Sequence, residues 1–327
     1  MKKVNINKAK NFLSSHGAFV ALLLIIVVAS LAYSNFMTYT NISNVFRQIS
    51  AKGIVAIGMT FVILTQGIDL SVGSSVALSG ILAASFSGNH PVLMIAVPLL
   101  AGILVGLING FCIAKLKIAP FIVTLSLMMA VRGVVYIISD EHTMPYGKAG
   151  DELSRFVNSD VWGIPVLTIF FLICLFAAIA VGSRTKFGRN IYAVGGNADA
   201  ANLMGIPVDR VKLAAYIISG FCSSLGGLLL SARLGSGQPY VASAWEMDAI
   251  AAVAIGGTSL AGGVGKFSGT FAGVLIVGLV SNIINLQGTL SSWWQNIITG
   301  AILLAVVVIQ SQITMHTEKI KRKEEAA

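Results

Sequence analysis

Long apolar runs separated by short polar stretches repeat along the whole chain. A helix that crosses lipid needs about 20 mainly apolar residues, and runs at 17–33, 45–64, 91–114, 120–138, 164–181, 211–230, 269–284 and 294–309 are of that order. Two more are shorter. The run at 74–86 follows T-Q-G-I-D-L-S-V-G at 65–73, and the run opened by Trp245, Glu246 and Asp248 has only about ten apolar residues before a glycine-rich stretch at 256–269. Irregular backbone at membrane depth persists only beside protein or water, so both short runs are expected to be broken or half spans near a polar path. The pattern predicts an all-α polytopic membrane protein of about ten transmembrane helices, folded as one domain over residues 1–327.

The longest basic polar interruption is G-R-N-I-Y-A-V-G-G-N-A-D-A-A-N-L-M-G-I-P-V-D-R-V-K at 188–212. Asn197 is placed to cap a short helix of about two turns, and Gly205 followed by Ile206 and Pro207 supplies its stop. A small helix displayed at 183–210, outside the bilayer, is either a solvated connection or a surface that receives a partner. The stretch 139–163 is acidic and reads as a loop on the opposite face, while 286–294 is a loop carrying interfacial Trp293 and Trp294.

Composition rules out a soluble core: 56% of the 327 residues are hydrophobic, 11% are charged, and mean hydropathy is +0.85. The net charge of +9 would suggest nucleic acid in a soluble protein, but sixteen of the 22 Lys and Arg fall on the head, the tail and the polar stretches of one face. The positive-inside rule then puts both termini in the cytoplasm and removes the need for a nucleic-acid partner. The first run lacks a small-residue cleavage site and is expected to stay as a helix. Cys112, Cys174 and Cys222 lie in separate apolar runs and His16, His90, His142 and His316 are scattered, so neither a metal nor another cofactor is expected.

Polar residues at the broken spans are candidates for a translocation path: Gln66, Asp69, Ser71, Asn109 and the mid-span Arg132. Capping of the next helix explains Asp69 and Ser71 as well. Arg132 has to face the interior, paired with backbone carbonyls, a loop carboxylate or substrate. No catalytic constellation stands out, and G-G-V-G-K-F-S at 262–268 lacks a phosphate loop's first glycine at Leu260 and its hydroxyl residue at Phe267. A channel, an ion-coupled carrier and the membrane half of an ATP-driven importer remain. Every Asp and Glu reads as loop, tail or span end, whereas an ion-coupled carrier usually keeps a carboxylate near the midplane.

The stretches G-M-T-F-V-I-L-T-Q-G-I-D-L-S-V-G-S at 58–74, G-R-N-I-Y-A-V-G-G-N-A-D-A-A-N-L-M-G-I at 188–206 and D-A-I-A-A-V-A-I-G-G-T-S-L-A-G-G at 248–263 closely resemble the ribose, xylose and galactose type permeases of bacterial ABC importers. The resemblance covers about residues 40–310. It implies a ten-span importer fold with inverted halves in the bacterial cytoplasmic membrane, a cytoplasmic ABC ATPase, and an extracytoplasmic sugar-binding protein. By the same resemblance Tyr192, Gly195, Asn197, Ala200, Ala201 and Gly205 form the ATPase-coupling segment, its alanines seated in an ATPase groove. One coupling helix per chain implies a second permease subunit, with a homodimer expected before a sister pair. The family does not fix the sugar, and an ion-coupled sugar carrier is the alternative.

Overall fold

The chain is predominantly helical in a computed structural model, which describes residues 2–88, 90–289, 291 and 293–325. The helices are α1 (Lys2–Ala32), α2 (Tyr39–Leu64), α3 (Val72–Ser85), α4 (Pro91–Ala114), α5 (Pro120–Ser139), α6 (Lys148–Asn158), α7 (Val166–Arg184), α8 (Lys186–Gly196), α9 (Ala198–Leu203), α10 (Val208–Leu234), α11 (Trp245–Ile255), α12 (Phe267–Gln287) and α13 (Trp294–Glu325). Six of them, α2, α4, α5, α7, α10 and α12, are long and apolar enough to cross a membrane among the described residues. The apolar parts Gly17–Ala32, Val72–Ser85 and Trp294–Val308 are shorter, and α11 has 11 residues. These ten segments are the ten expected runs. Leu290 and Ser292 of the expected 286–294 loop lie outside the described residues.

Helix starts follow local chemistry. Thr38 Oγ1 accepts from the Asn41 amide ahead of α2, and α4 and α5 each begin on a proline, whose missing N–H is no loss in a first turn.

Two long helices act as masts. α10 packs against α2, α3 and α4, while α2 packs against α10, α11 and α12. The two halves therefore repeat one order, a mast, a short helix, then a long one, and each mast holds the other half's pair. Small residues let these backbones meet: a Cβ on Gly220 of α10 would stand 2.1 Å from the Gly102 carbonyl oxygen of α4. Close approach of this kind replaces the hydrophobic effect as a source of helix association in lipid. α5 turns Phe121, Ile122, Met129 and Ile137 outward, an apolar surface suited to lipid.

At one end of the bundle, the stretch expected to be a loop at 139–163 contains α6, whose Ala149 and Leu153 pack against the core and whose Val157 is buried in it. Short antiparallel pairings, Met144–Pro145 with Ser236–Gly237 and Asp160–Val161 with Ile164–Pro165, tie this end together. Arg47 of α2 pairs with Asp160 there. The opposite end carries α8 and α9, so the expected single short helix is two helices in series. Thr185 starts the first by accepting from the Gly188 amide, and Phe187, Ile191 and Val194 form its inward face.

Candidate functional site

The α8–α9 end is built as a three-way junction. Asn197 ends α8 and starts α9, its Oδ1 accepting from the Ala200 amide at 2.9 Å. Gly205, at φ +79°, closes α9. At the end of α8 the Gly195 carbonyl accepts from Gln66 Nε2 at 2.9 Å, and the Gly263 amide donates to the Leu64 carbonyl at 3.1 Å. Tyr192 Oη donates to the Gly265 carbonyl at 3.1 Å. Burial pushes the Tyr192 phenol up from its ordinary value. The end of α2, the end of α8 and the glycine turn joining α11 to α12 thus meet at one point. Gly195 permits it, because a Cβ there would fall 1.8 Å from the Leu64 carbonyl oxygen and 2.5 Å from the Gly263 nitrogen.

Outward, Ala200 is exposed, and Leu203 and Met204 are 89% and 70% exposed. Ala201 is wholly buried, so it packs α9 onto the bundle, and the surface open to an outside partner includes Asp199, Ala200, Asn202, Leu203 and Met204. Two large apolar residues ending a displayed helix were the signal in the sequence. Beside them Lys115 and Lys117, from the α4–α5 turn, both pair with Asp209.

Asp69, Ser71 and Asn109 form a second cluster, inside the bundle. Asp69 Oδ1 accepts from the Ser71 amide at 3.0 Å and its hydroxyl at 2.6 Å, and Oδ2 accepts from Ser219 Oγ of α10 at 2.7 Å. Asn109 Nδ2 of α4 donates to Ser71 Oγ at 2.8 Å. All four residues are at most 1% exposed. This network pins the break between α2 and α3 to α4 and α10. The Ser71 side chain makes no cap bond; the local bond is the one Asp69 accepts from the Ser71 amide. Arg132 Nη1 donates to the Pro239 and Val241 carbonyls at 2.9 and 3.0 Å, holding the loop between α10 and α11. The five path candidates therefore sit in three places: Gln66 at the junction, Arg132 of α5 against the α10–α11 loop, and the rest in a buried polar network that leaves Asn109 Oδ1 without a partner among the described residues.

A cavity of about 300 Å³ opens elsewhere, between α2, α10, α11, α12 and α13. Its wall includes Gln48, Lys52, Arg233, Trp245, Asp248 and Gln295. Lys52, about midway along α2, donates to Asp248 Oδ2 at 2.6 Å and stands 5.3 Å from the centre of the Trp245 ring. Sequence reasoning passed over this set, although a lysine inside an apolar run was a visible anomaly. It also overturns an expectation: Asp69 and Asp248 both lie inside the bundle, so the absence of interior carboxylates does not separate an importer from an ion-coupled carrier. A position at a span end is not a shallow position when the span is a half span.

Paired masts, half helices and six helices long and apolar enough to cross a bilayer define a multi-pass membrane protein. The chain belongs to the family described as branched-chain amino acid transport system / permease component, which matches residues 41–307. It is 41% identical over 306 residues to the ribose import permease protein of Haemophilus influenzae, covering 92% of this chain and 94% of that one. The ribose import permease protein of Bacillus subtilis is 41% identical over 90% of this chain and 91% of its own length. The L-arabinose transport system permease protein of Escherichia coli K12 is 38% identical over 94% of this chain and 92% of its own. No solved structure matches.

Proposed function

We propose that the chain is the membrane-spanning subunit of an ATP-driven monosaccharide importer in the bacterial cytoplasmic membrane, with both termini in the cytoplasm. Sugar arrives from an extracytoplasmic binding protein at the α6 end, and a cytoplasmic ABC ATPase presses on residues 183–210. The sugar class follows from relatives named for ribose and L-arabinose import. Relatives of this kind also favour ATP coupling over the ion-coupled alternative.

The observation that carries the mechanism is the junction. A push on α9 reaches α2 through Gln66 and Leu64, and reaches the α11–α12 turn through Tyr192, Gly195 and Gly263. Those three helices line the cavity. Movement at the ATPase end is thereby led to the walls of the interior space. ATPase halves close as a pair and each half grips one such helix, so two copies of the chain assemble as a homodimer.

Uptake by proteoliposomes holding the permease, its ATPase and its binding protein tests this reading. Uptake is expected to require internal ATP and to survive an ionophore that collapses proton and sodium gradients, and the permease alone is expected to hydrolyse no ATP. Uptake abolished by the ionophore with ATP present would instead establish the ion-coupled carrier.

A further inference from the structure

The cavity beside Lys52 has the chemistry of a polyol site. The side-chain amides of Gln48, Asn285 and Gln295 line it and form no hydrogen bond with any other described residue; Gln48 and Asn285 are exposed and Gln295 is half-buried, so all three are open to an incoming solute. Each amide offers two donors and an acceptor. Lys52 commits one of its three donors to Asp248 Oδ2, and no described residue donates to Asp248 Oδ1. A sugar hydroxyl both donates and accepts, so a ring of hydroxyls matches mixed amides and a neutralised ion pair. Trp245 adds flat apolar surface for the C–H face of a sugar ring. At about 300 Å³ the space is at the small end of small-molecule pockets.

The ion pair also argues against a zwitterion. An amino acid would need Lys52 and Asp248 apart to meet its two charges, yet they satisfy one another at 2.6 Å. We propose that this cavity is a sugar-contact subsite, in which Trp245 meets the ring face and Gln48, Asn285, Gln295 and the Lys52–Asp248 pair take the hydroxyls. The inference rests on the sugar-importer reading and assigns its contact residues. It gives the permease a share in specificity alongside the binding protein.

Two measurements test it. In a chain with Cys112, Cys174 and Cys222 replaced by serine, Ser281→Cys places a thiol on the cavity wall, and its labelling rate by a water-soluble methanethiosulfonate is followed with excess D-ribose, L-arabinose, D-galactose or L-leucine. The imported sugar is expected to slow labelling by about tenfold, L-leucine not at all, and the protection to be lost in Trp245→Ala and retained in Trp245→Phe. Uptake of the three sugars is measured in parallel, and Gln48→Ala and Trp245→Ala are expected to change the ratio of their rates. A sugar imported by wild-type vesicles that leaves labelling unchanged, or ratios unmoved in both variants, would overturn the subsite while leaving the importer intact. Wild-type vesicles importing none of the sugars would remove the sugar reading itself.

Discussion

One methyl group at Gly195 is enough to part the junction, since the Leu64 carbonyl oxygen lies 1.8 Å from where its carbon would stand. Gly195→Ala is expected to insert and fold but to lower ATP-driven uptake by at least about tenfold, read in the same proteoliposomes. Gly205→Ala makes the contrast: nothing lies within 4 Å, and only its φ of +79° is strained. It is expected to cost about 1 kcal/mol and to leave uptake near wild type. The sequence singled out both glycines for their place in one motif. Their burdens differ: the backbone sign at Gly205 is local, whereas the close approach at Gly195 depends on neighbours from α2 and the α11–α12 turn, which are remote in the chain.

The pair α8–α9 sorts two adjacent alanines at the level of the element. Ala200→Arg points into solvent and is expected to leave yield and melting temperature unchanged while blocking co-purification of the ATPase. Ala201→Arg would bury a cation without a partner, and is expected to lower yield and melting temperature before docking is ever tested. Capping by Asn197 and the stop at Gly205 were legible because both are local. α8 itself was missed, although Phe187, Ile191 and Val194 carry helical spacing, because Gly188, Arg189 and Asn190 between them read as loop. α6 was missed in the same way, its acidic residues outweighing the face formed by Ala149, Leu153 and Val157.

For the molecule as a whole, Lys52 and Asp248 join mast α2 of the first half to short helix α11 of the second. Lys52→Met and Asp248→Asn are each expected to lower the melting temperature in detergent. The double variant should lose less than the sum, by a coupling of about 1–3 kcal/mol in a thermal or denaturant series; strict additivity would mean the pair carries nothing. The number of spans could be read from hydropathy because each run speaks for itself. Which spans touch could not, and neither could depth. Asp69 looks peripheral on paper and lies at most 1% exposed in the bundle, because the chain turns back into the interior before α3 begins.

Where the Leu64, Gly195 and Gly263 backbones meet, the contact is main chain against main chain, so at that point there is little slack for a rotamer change to supply. In an ordinary core a displacement of a fraction of an ångström is absorbed by side chains resettling. Here it has to appear at once as movement of α2 and of the α11–α12 turn. A stiff linkage of this kind works in both directions: the state of the cavity walls sets how easily α9 can be displaced. If the proposed importer and sugar subsite hold, a sugar lodged against Trp245 is felt at a docked ATPase as a change in resistance, without any solute or signal passing between them.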